Sequence, residues 1–103
     1  MKVIWMPQAK CQVRDIAKYI RKEFGKNARD SFIRGVRESS RQIGQSPSVG
    51  IVEPLLEDCA EKYRSYLVNR LNKIIYRVAD DHIEVVDFWD VRREPSSLAE
   101  QVK

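Results

Sequence analysis

The sequence is poor in the residues that build metal sites and disulfide frameworks. It has two cysteines and one histidine, and Cys11 and Cys59 lie outside any CxxC or histidine-adjacent cluster. We therefore expect no metal site, no cofactor and unpaired structural thiols of the kind found in a reducing cytoplasm. No stretch approaches the roughly 20 apolar residues that a membrane-spanning helix needs. The first residues also lack the apolar run of a signal peptide, so we expect a cytoplasmic protein without membrane contact.

Glycine and proline are also scarce, with four of each among 103 residues. Hydrophobic residues make up 43% of the chain and charged residues 33%, which argues against a disordered or low-complexity chain. This length suits one hydrophobic core. We therefore expect a single domain over residues 1–103.

The formal net charge of +4 is unevenly distributed along the chain. Residues 1–45 carry 11 Lys and Arg against 4 Asp and Glu, whereas residues 46–103 carry 8 against 11. Such an asymmetry favours an acidic partner for the basic half, either nucleic acid or an acidic polypeptide. An ordinary solvated helix surface explains the same pattern about equally well.

Hydrophobic periodicity predicts a strand followed by two helices in the basic half. Residues 2–5 form a short β-branched and aromatic run that is typical of a strand. Pro7 suits the first turn of a helix, and apolar residues then recur every three or four positions until Gly25 ends it. A second helix is predicted from near Asn27, its N-cap, to near Gly44. The short link between them predicts an antiparallel helical hairpin.

Three strands are predicted in the second half of the chain, at residues 63–68, 73–78 and 83–89, where Ile, Val, Tyr, Phe and Trp predominate. Short polar breaks separate them, and Asp80-Asp81 lies in the second break. Connections this short join antiparallel neighbours, because parallel strands need a crossover of a dozen or more residues. The predicted fold class is therefore α+β: an N-terminal strand, a helical hairpin and a three-stranded antiparallel meander.

Two other segments have weaker patterns. Residues 46–61 form a long connection, and connections of this length are usually functional or contain a short element of their own. Within it, residues 54–57 suit either one helical turn or an apolar flap over the sheet edge. Residues 95–103 are compatible with a short C-terminal helix.

Short motifs accompany these elements along nearly the whole chain. They are Val3-Ile4-Trp5-Met6-Pro7, Ser46-Pro47, Gly50, Pro54, Tyr63-Arg64, Ile74-Ile75-Tyr76-Arg77-Val78 and Phe88-Trp89-Asp90-Val91-Arg92-Arg93-Glu94-Pro95. In their order and spacing they resemble the RelE/ParE superfamily of bacterial type II toxins. The resemblance implies a small toxin that is held inactive by a cognate antitoxin encoded beside it.

The resemblance implies two alternative targets. RelE-like members cleave mRNA on the ribosome, whereas ParE-like members poison DNA gyrase and are not nucleases. A metal-independent endoribonuclease needs a base, an acid and cations, and its candidate catalytic residues here are Arg64, Arg77 and Arg92. The chain departs from the nuclease pattern at Val68, where a basic residue is usual, and at Asp90, where histidine is common. The ParE-like branch is therefore favoured, and a non-toxic relative acting as a binding module is a third alternative.

The candidate target contacts cluster towards the end of the meander. They are Arg64, Arg77, Trp89, Asp90, Arg92 and Arg93. Arg64 and Arg77 lie on neighbouring strands and are expected to form one cationic patch with Arg92. The alternative is cross-strand ion pairing with nearby carboxylates: Glu61, Glu84 or Asp87. Phe88 and Trp89 point to opposite faces, so at least one ring belongs to the core. A buried position is expected for either ring, and an exposed ring would be a platform for base stacking.

A groove between the helical hairpin and the sheet is the predicted antitoxin site. Arg14 would steer acidic residues of the antitoxin towards it. Ile51, Leu55 and Leu56 in the long connection would provide apolar anchors at its rim. An antitoxin tail that is disordered when free would lay a helix and a strand along this surface.

Overall fold

The computed structural model describes residues 1–91. Its elements, in chain order, are β1 Lys2–Trp5, α1 Pro7–Phe24, α2 Lys26–Gln45, β2 Ile51–Val52, a 3₁₀ turn Pro54–Leu56, β3 Arg64–Leu67, β4 Asn72–Val78 and β5 His82–Asp90. The predicted α+β class is confirmed, with strand, helical hairpin and meander in the expected order. Arg92, Arg93 and the C-terminal helix predicted for residues 95–103 lie outside the described residues. Among residues 1–91, no helix combines the length and the apolar character needed to cross a membrane.

Within residues 1–91, five strands form one mixed sheet in the order β1-β5-β4-β3-β2. The meander of β3, β4 and β5 is antiparallel, as predicted. β1 lies at one edge and pairs with β5 in parallel, with Trp5 opposite Val85. The opposite edge is β2, a two-residue strand that the sequence did not predict, paired antiparallel with β3.

The two helices are joined through one residue, Gly25, which caps both. Its φ of 95° lies in a region that residues with a side chain rarely adopt. The Gly25 N–H donates to the carbonyl of Arg21 at 3.0 Å, and the Gly25 carbonyl accepts from the N–H of Arg29 at 3.2 Å. The second helix therefore begins at Lys26, and the predicted N-cap Asn27 lies inside its first turn.

The helices cover one face of the sheet, here called the helix face. The main core lies between the helices and this face. Its buried members are Ala9, Val36, Ile43, Ile74, Tyr76, Ile83, Val85 and Phe88. The Trp5 Nε1–H donates to Ser40 Oγ at 3.1 Å and so links β1 to α2. The Phe88 ring packs against Trp5 and Phe32, with centroids 6.3 Å and 6.0 Å away. The core therefore ties both helices and the edge strand to β5.

The opposite face of the sheet, here called the far face, has a second core. Leu56, Ile75 and Trp89 are buried there, and Leu55, Cys59, Tyr63 and Val86 pack against them. The 46–61 connection supplies the cover, because its 3₁₀ turn folds over the sheet and buries Leu56. Phe88 and Trp89 are thus 2% and 1% exposed on opposite faces, so both rings are buried, as expected for either, and neither is a stacking platform.

A β-bulge in β5 lets consecutive residues of this strand contribute to both the helix-face core and the far-face core. Ile75 pairs with Asp87 and Tyr76 pairs with Val85, so Val86 is an extra residue on β5. The extra residue lets Val85 face the helices while Val86 packs against the far-face core.

A buried ion pair fastens the connection to the far face. Lys73 Nζ lies 2.7 Å from Glu53 Oε1, and their side chains are only 15% and 1% exposed. Within the described residues, Glu53 Oε2 has no hydrogen-bond partner. The Glu53 N–H also donates to the carbonyl of Tyr63 at 2.9 Å, which closes the segment between them. The charge of Glu53 therefore depends on Lys73 for compensation.

Loss of the lysine is expected to destabilise the fold much more than loss of a surface cation. Lys73→Met leaves a buried carboxylate unpaired and should lower the free energy of unfolding by about 3–5 kcal/mol, whereas the double variant Glu53→Leu/Lys73→Met should recover most of it. Arg41→Met is the control, because the Arg41 pair with Glu38 is about half exposed and its loss should change stability little. Urea denaturation measures all three. Equal losses for Lys73→Met and Arg41→Met would contradict the role given to the buried pair.

Candidate functional site

The candidate arginines of β3 and β4 project from opposite faces of the sheet. Arg64 pairs with Tyr76, whose ring lies in the helix-face core. Arg77 is the next residue along β4, and successive side chains of a strand point to opposite faces. The single cationic patch expected from Arg64 and Arg77 is therefore not formed.

Arg77 is neutralised by carboxylates on the far face. Its Nε lies 2.8 Å from Glu84 Oε1, and its Nη1 lies 3.4 Å from Glu61 Oε2. Glu84 also contacts His82, whose Nδ1 in turn lies 2.7 Å from Asp81 Oδ1. Hydrogen bonds with Asp81 and then Glu84 raise the pKa of His82 above its usual value. The cross-strand ion pairs predicted as the alternative, to Glu61 and Glu84, are the arrangement observed.

Arg64 is held in place by the segment that precedes β2. Its Nη1 donates to the carbonyl of Gly50 at 2.7 Å. The Tyr76 hydroxyl donates to the carbonyl of Pro47 at 2.7 Å and accepts from the Gly50 N–H at 2.9 Å. Burial raises the pKa of Tyr76, so its hydroxyl keeps the proton that it donates. Residues 47–50, Arg64 and Tyr76 form one hydrogen-bonded unit at the edge of the sheet.

An apolar groove with a basic rim runs along the helical hairpin. Its lining residues are Trp5, Lys10, Val13, Arg14, Ala17, Arg29, Ile33 and Val36. Arg14, predicted as an antitoxin contact, lies here. Periodicity assigns the apolar stripes of α1 and α2 to packing between the helices, so it does not identify Val13, Ala17 and Ile33 as antitoxin contacts. The sequence signal for this groove is an apolar stripe on the helices that is wider than packing against one neighbouring helix requires. Lys10, Arg14 and Arg29 flank that stripe.

The predicted apolar anchors of the long connection do not line this groove. Leu56 is 2% exposed in the far-face core, and Leu55 packs against that core. Ile51 is 65% exposed but lies on the edge strand β2. The connection folds over the far face, so these residues and Arg14 are separated by the sheet. Arg14 and the predicted apolar anchors therefore do not line the same groove.

A second apolar depression lies where the end of α1 meets the start of β4. It is lined by Asp15, Ile16, Tyr19, Ile20, Phe24, Leu71, Asn72 and Asp90. Tyr19 and Phe24 are 60% and 69% exposed, and their rings meet edge to face at 6.5 Å. Asp90, a predicted target contact, lies at its edge, whereas the predicted contact Trp89 is buried and offers no surface to a partner. Residues 1–91 contain no cluster of His, Cys, Asp or Glu that would hold a metal ion.

Comparison with known proteins confirms the resemblance to RelE/ParE-superfamily toxins that the sequence shows. A family model described as "ParE toxin of type II toxin-antitoxin system, parDE" matches residues 3–95. The chain belongs to this ParE toxin family. No curated protein sequence matches it.

Solved structures share the fold at low sequence identity. A chain of a chromosomal ParDE toxin–antitoxin system from P. aeruginosa superposes with a TM-score of 0.73 and 16% identity, covering 89% of this chain and 97% of that one. A YoeB/ParE toxin from Agrobacterium tumefaciens superposes with a TM-score of 0.59 and 20% identity, covering 87% and 98%. A YoeB dimer from Staphylococcus aureus superposes with a TM-score of 0.56 and 20% identity, covering 84% and 92%.

Gly50 is expected to be essential to the unit that holds Arg64. A Cβ at this position would lie 2.6 Å from both the Ser65 carbonyl oxygen and the Tyr76 hydroxyl oxygen. Gly50→Ala should therefore lower the free energy of unfolding by about 1–3 kcal/mol, because a carbonyl within the sheet cannot retreat cheaply.

Gly35→Ala is the matched control. Its Cβ would meet only Val68 Cγ1 at 3.8 Å, and alanine inside a helix is favoured over glycine by up to about 1 kcal/mol. Chemical denaturation of both variants is the measurement. A Gly50→Ala variant as stable as Gly35→Ala would contradict the close packing of residues 47–50.

Proposed function

We propose that this ParE-family chain arrests growth by binding DNA gyrase, without cleaving nucleic acid, and that a cognate antitoxin silences it. We favour gyrase over mRNA because the described cations of β3 and β4 are spread over both faces of the sheet. Cleavage of RNA by its 2′-hydroxyl needs cations to converge on one phosphate beside an acid and a base. A toxin without that arrangement acts by binding, and gyrase is the target implied by the resemblance to ParE-like members.

Three described cations of β3 and β4, Arg64, Lys73 and Arg77, do not converge on one point beside an acid and a base. Arg64 and Arg77 lie on opposite faces, and Arg77 is neutralised by Glu84 and Glu61. Lys73 is neutralised by Glu53 on the far face. Val68, at the position where nuclease members usually carry a basic residue, packs against the helix-face core. This arrangement supports a toxin that binds its target rather than one that cuts mRNA on the ribosome.

The groove along the helical hairpin supports an acidic helical antitoxin segment. Its floor of Val13, Ala17 and Ile33 suits the apolar face of an amphipathic helix. Its rim of Lys10 and Arg14 suits acidic residues beside that face and would steer their approach. One structural neighbour is a chain of a chromosomal ParDE toxin–antitoxin system. These features support an antitoxin partner, and the proposal includes that the adjacent gene encodes it and that the toxin acts in the cytoplasm.

The target is tested by inducing the chain alone in a bacterium. Growth should stop and plasmid supercoiling should change, and co-expression of the antitoxin should restore both. Primer extension on cellular transcripts, taken soon after induction, should show no new ends at defined codon positions. Such ends, if they vanished in a folded Arg64→Ala variant, would establish the ribonuclease instead. Normal growth with abundant folded protein would argue for a non-toxic relative.

The antitoxin site is tested by binding kinetics on folded variants. Arg14→Glu should slow association and make it more sensitive to salt, because the rim charge acts on approach. Ile33→Asp should speed dissociation by roughly 30-fold or more, the effect of losing an apolar anchor worth about 2 kcal/mol.

Matched controls lie elsewhere on the surface. Arg70→Glu makes the same charge change in the β3–β4 turn, and Ile51→Asp makes the same apolar-to-acidic change on β2. Neither residue lines the groove, so both variants should bind at the unaltered rates. If Ile33→Asp leaves dissociation unchanged, or Ile51→Asp speeds it equally, the antitoxin does not occupy the hairpin groove.

A further inference from the structure

A shallow pocket opens where the connection after α2 crosses the start of β3. It is lined by Pro47, Ser48, Lys62, Arg64 and Val78. None of these residues lines the hairpin groove or the depression beside Tyr19. The pocket therefore offers two cations, one hydroxyl and an apolar wall on a separate part of the surface.

The two cations of this pocket differ from the others on the meander. Lys73 and Arg77 are each paired with carboxylates at 2.7 Å and 2.8 Å. Within the described residues, neither Lys62 nor Arg64 has a carboxylate in ion-pair contact. Among residues 1–91, the pocket thus collects positive charge without a paired carboxylate, while Lys73 and Arg77 on the same sheet are neutralised.

Arg64 is also positioned before any ligand arrives. One of its N–H groups donates to the carbonyl of Gly50 at 2.7 Å, and Gly50 is itself held by the Tyr76 hydroxyl. A guanidinium has five N–H donors, so most of its donors stay free for a ligand. Because the side chain is already ordered, binding costs less conformational entropy than it would at a mobile surface arginine.

We propose that this pocket binds a phosphate group. The planar guanidinium of Arg64 suits two oxygens of a phosphate, and the ammonium of Lys62 adds a second charge. The Ser48 hydroxyl, which also lines the pocket, supplies a neutral donor. The phosphate belongs either to a nucleic-acid backbone or to a free nucleotide, and both present the same tetrahedral anion. This inference does not depend on the proposed gyrase target, because it concerns binding by the isolated chain.

The test is a titration of the full chain, labelled with ¹⁵N, followed by NMR. Inorganic phosphate, adenosine monophosphate and a short DNA duplex are the three probes. Each bound probe should shift the amide signals of Ser48, Lys62 and Arg64 in a saturable way. Lys62→Gln should weaken binding by about tenfold, the loss of one charge-assisted contact. Arg70→Gln makes the same charge change in the β3–β4 turn and should leave the affinity nearly unchanged.

The probes separate the two sources of phosphate. Tighter binding of the duplex, with a salt slope that falls by about 0.9 in Lys62→Gln, identifies a nucleic-acid backbone. Binding of phosphate and the mononucleotide without the duplex identifies a free ligand. Shifts spread over all basic residues, or equal losses in Lys62→Gln and Arg70→Gln, would overturn the proposal. Such a result would not bear on growth arrest by the chain, which the induction experiment tests separately.

Discussion

Burial of the β4–β5 pair on both faces is the constraint on which the rest of this structure depends. Ile74 and Tyr76 face the helices and Ile75 faces the other way, and none of the three is exposed. Each such side chain contributes roughly 1.5–3 kcal/mol when it is removed from water. A sheet with two apolar faces needs two covers, and the helical hairpin provides only one. The 46–61 connection provides the second and is therefore part of the core.

Because both faces of the sheet are covered, the positions available to charged side chains on it are restricted. A cation that projects from the central strands meets a covered surface and needs a carboxylate, as Lys73 meets Glu53 and Arg77 meets Glu84. Cations without such partners lie at the margins, along the hairpin groove and in the pocket beside Arg64. The surfaces left for partners are therefore grooves at the edges of the fold. Such surfaces suit a protein that works by binding others.

The connection between α2 and β3 combines two roles in one segment. Residues 47–50 are held to Tyr76 and position Arg64, and Glu53 and Leu56 then seal the far face. The close approach at Gly50 couples the two parts, because the chain must pass between Ser65 and Tyr76 before it can fold over the sheet. Stability and the positioning of a surface cation thus depend on the same few contacts.

The amino-acid sequence by itself determined the local elements and the family. The helical stripes, the meander and the α+β class follow from periodicity within short windows, and the motifs from Val3 to Pro95 led to the right superfamily. Only the tertiary structure decided the parallel placement of β1, the edge strand β2, the bulge at Val86 and the opposite faces of Arg64 and Arg77. It also moved Leu55 and Leu56 from a binding rim into the far-face core. These features arise from contacts between residues distant in the chain, and periodicity, which reports only that a residue is apolar, does not tell which neighbour will bury it.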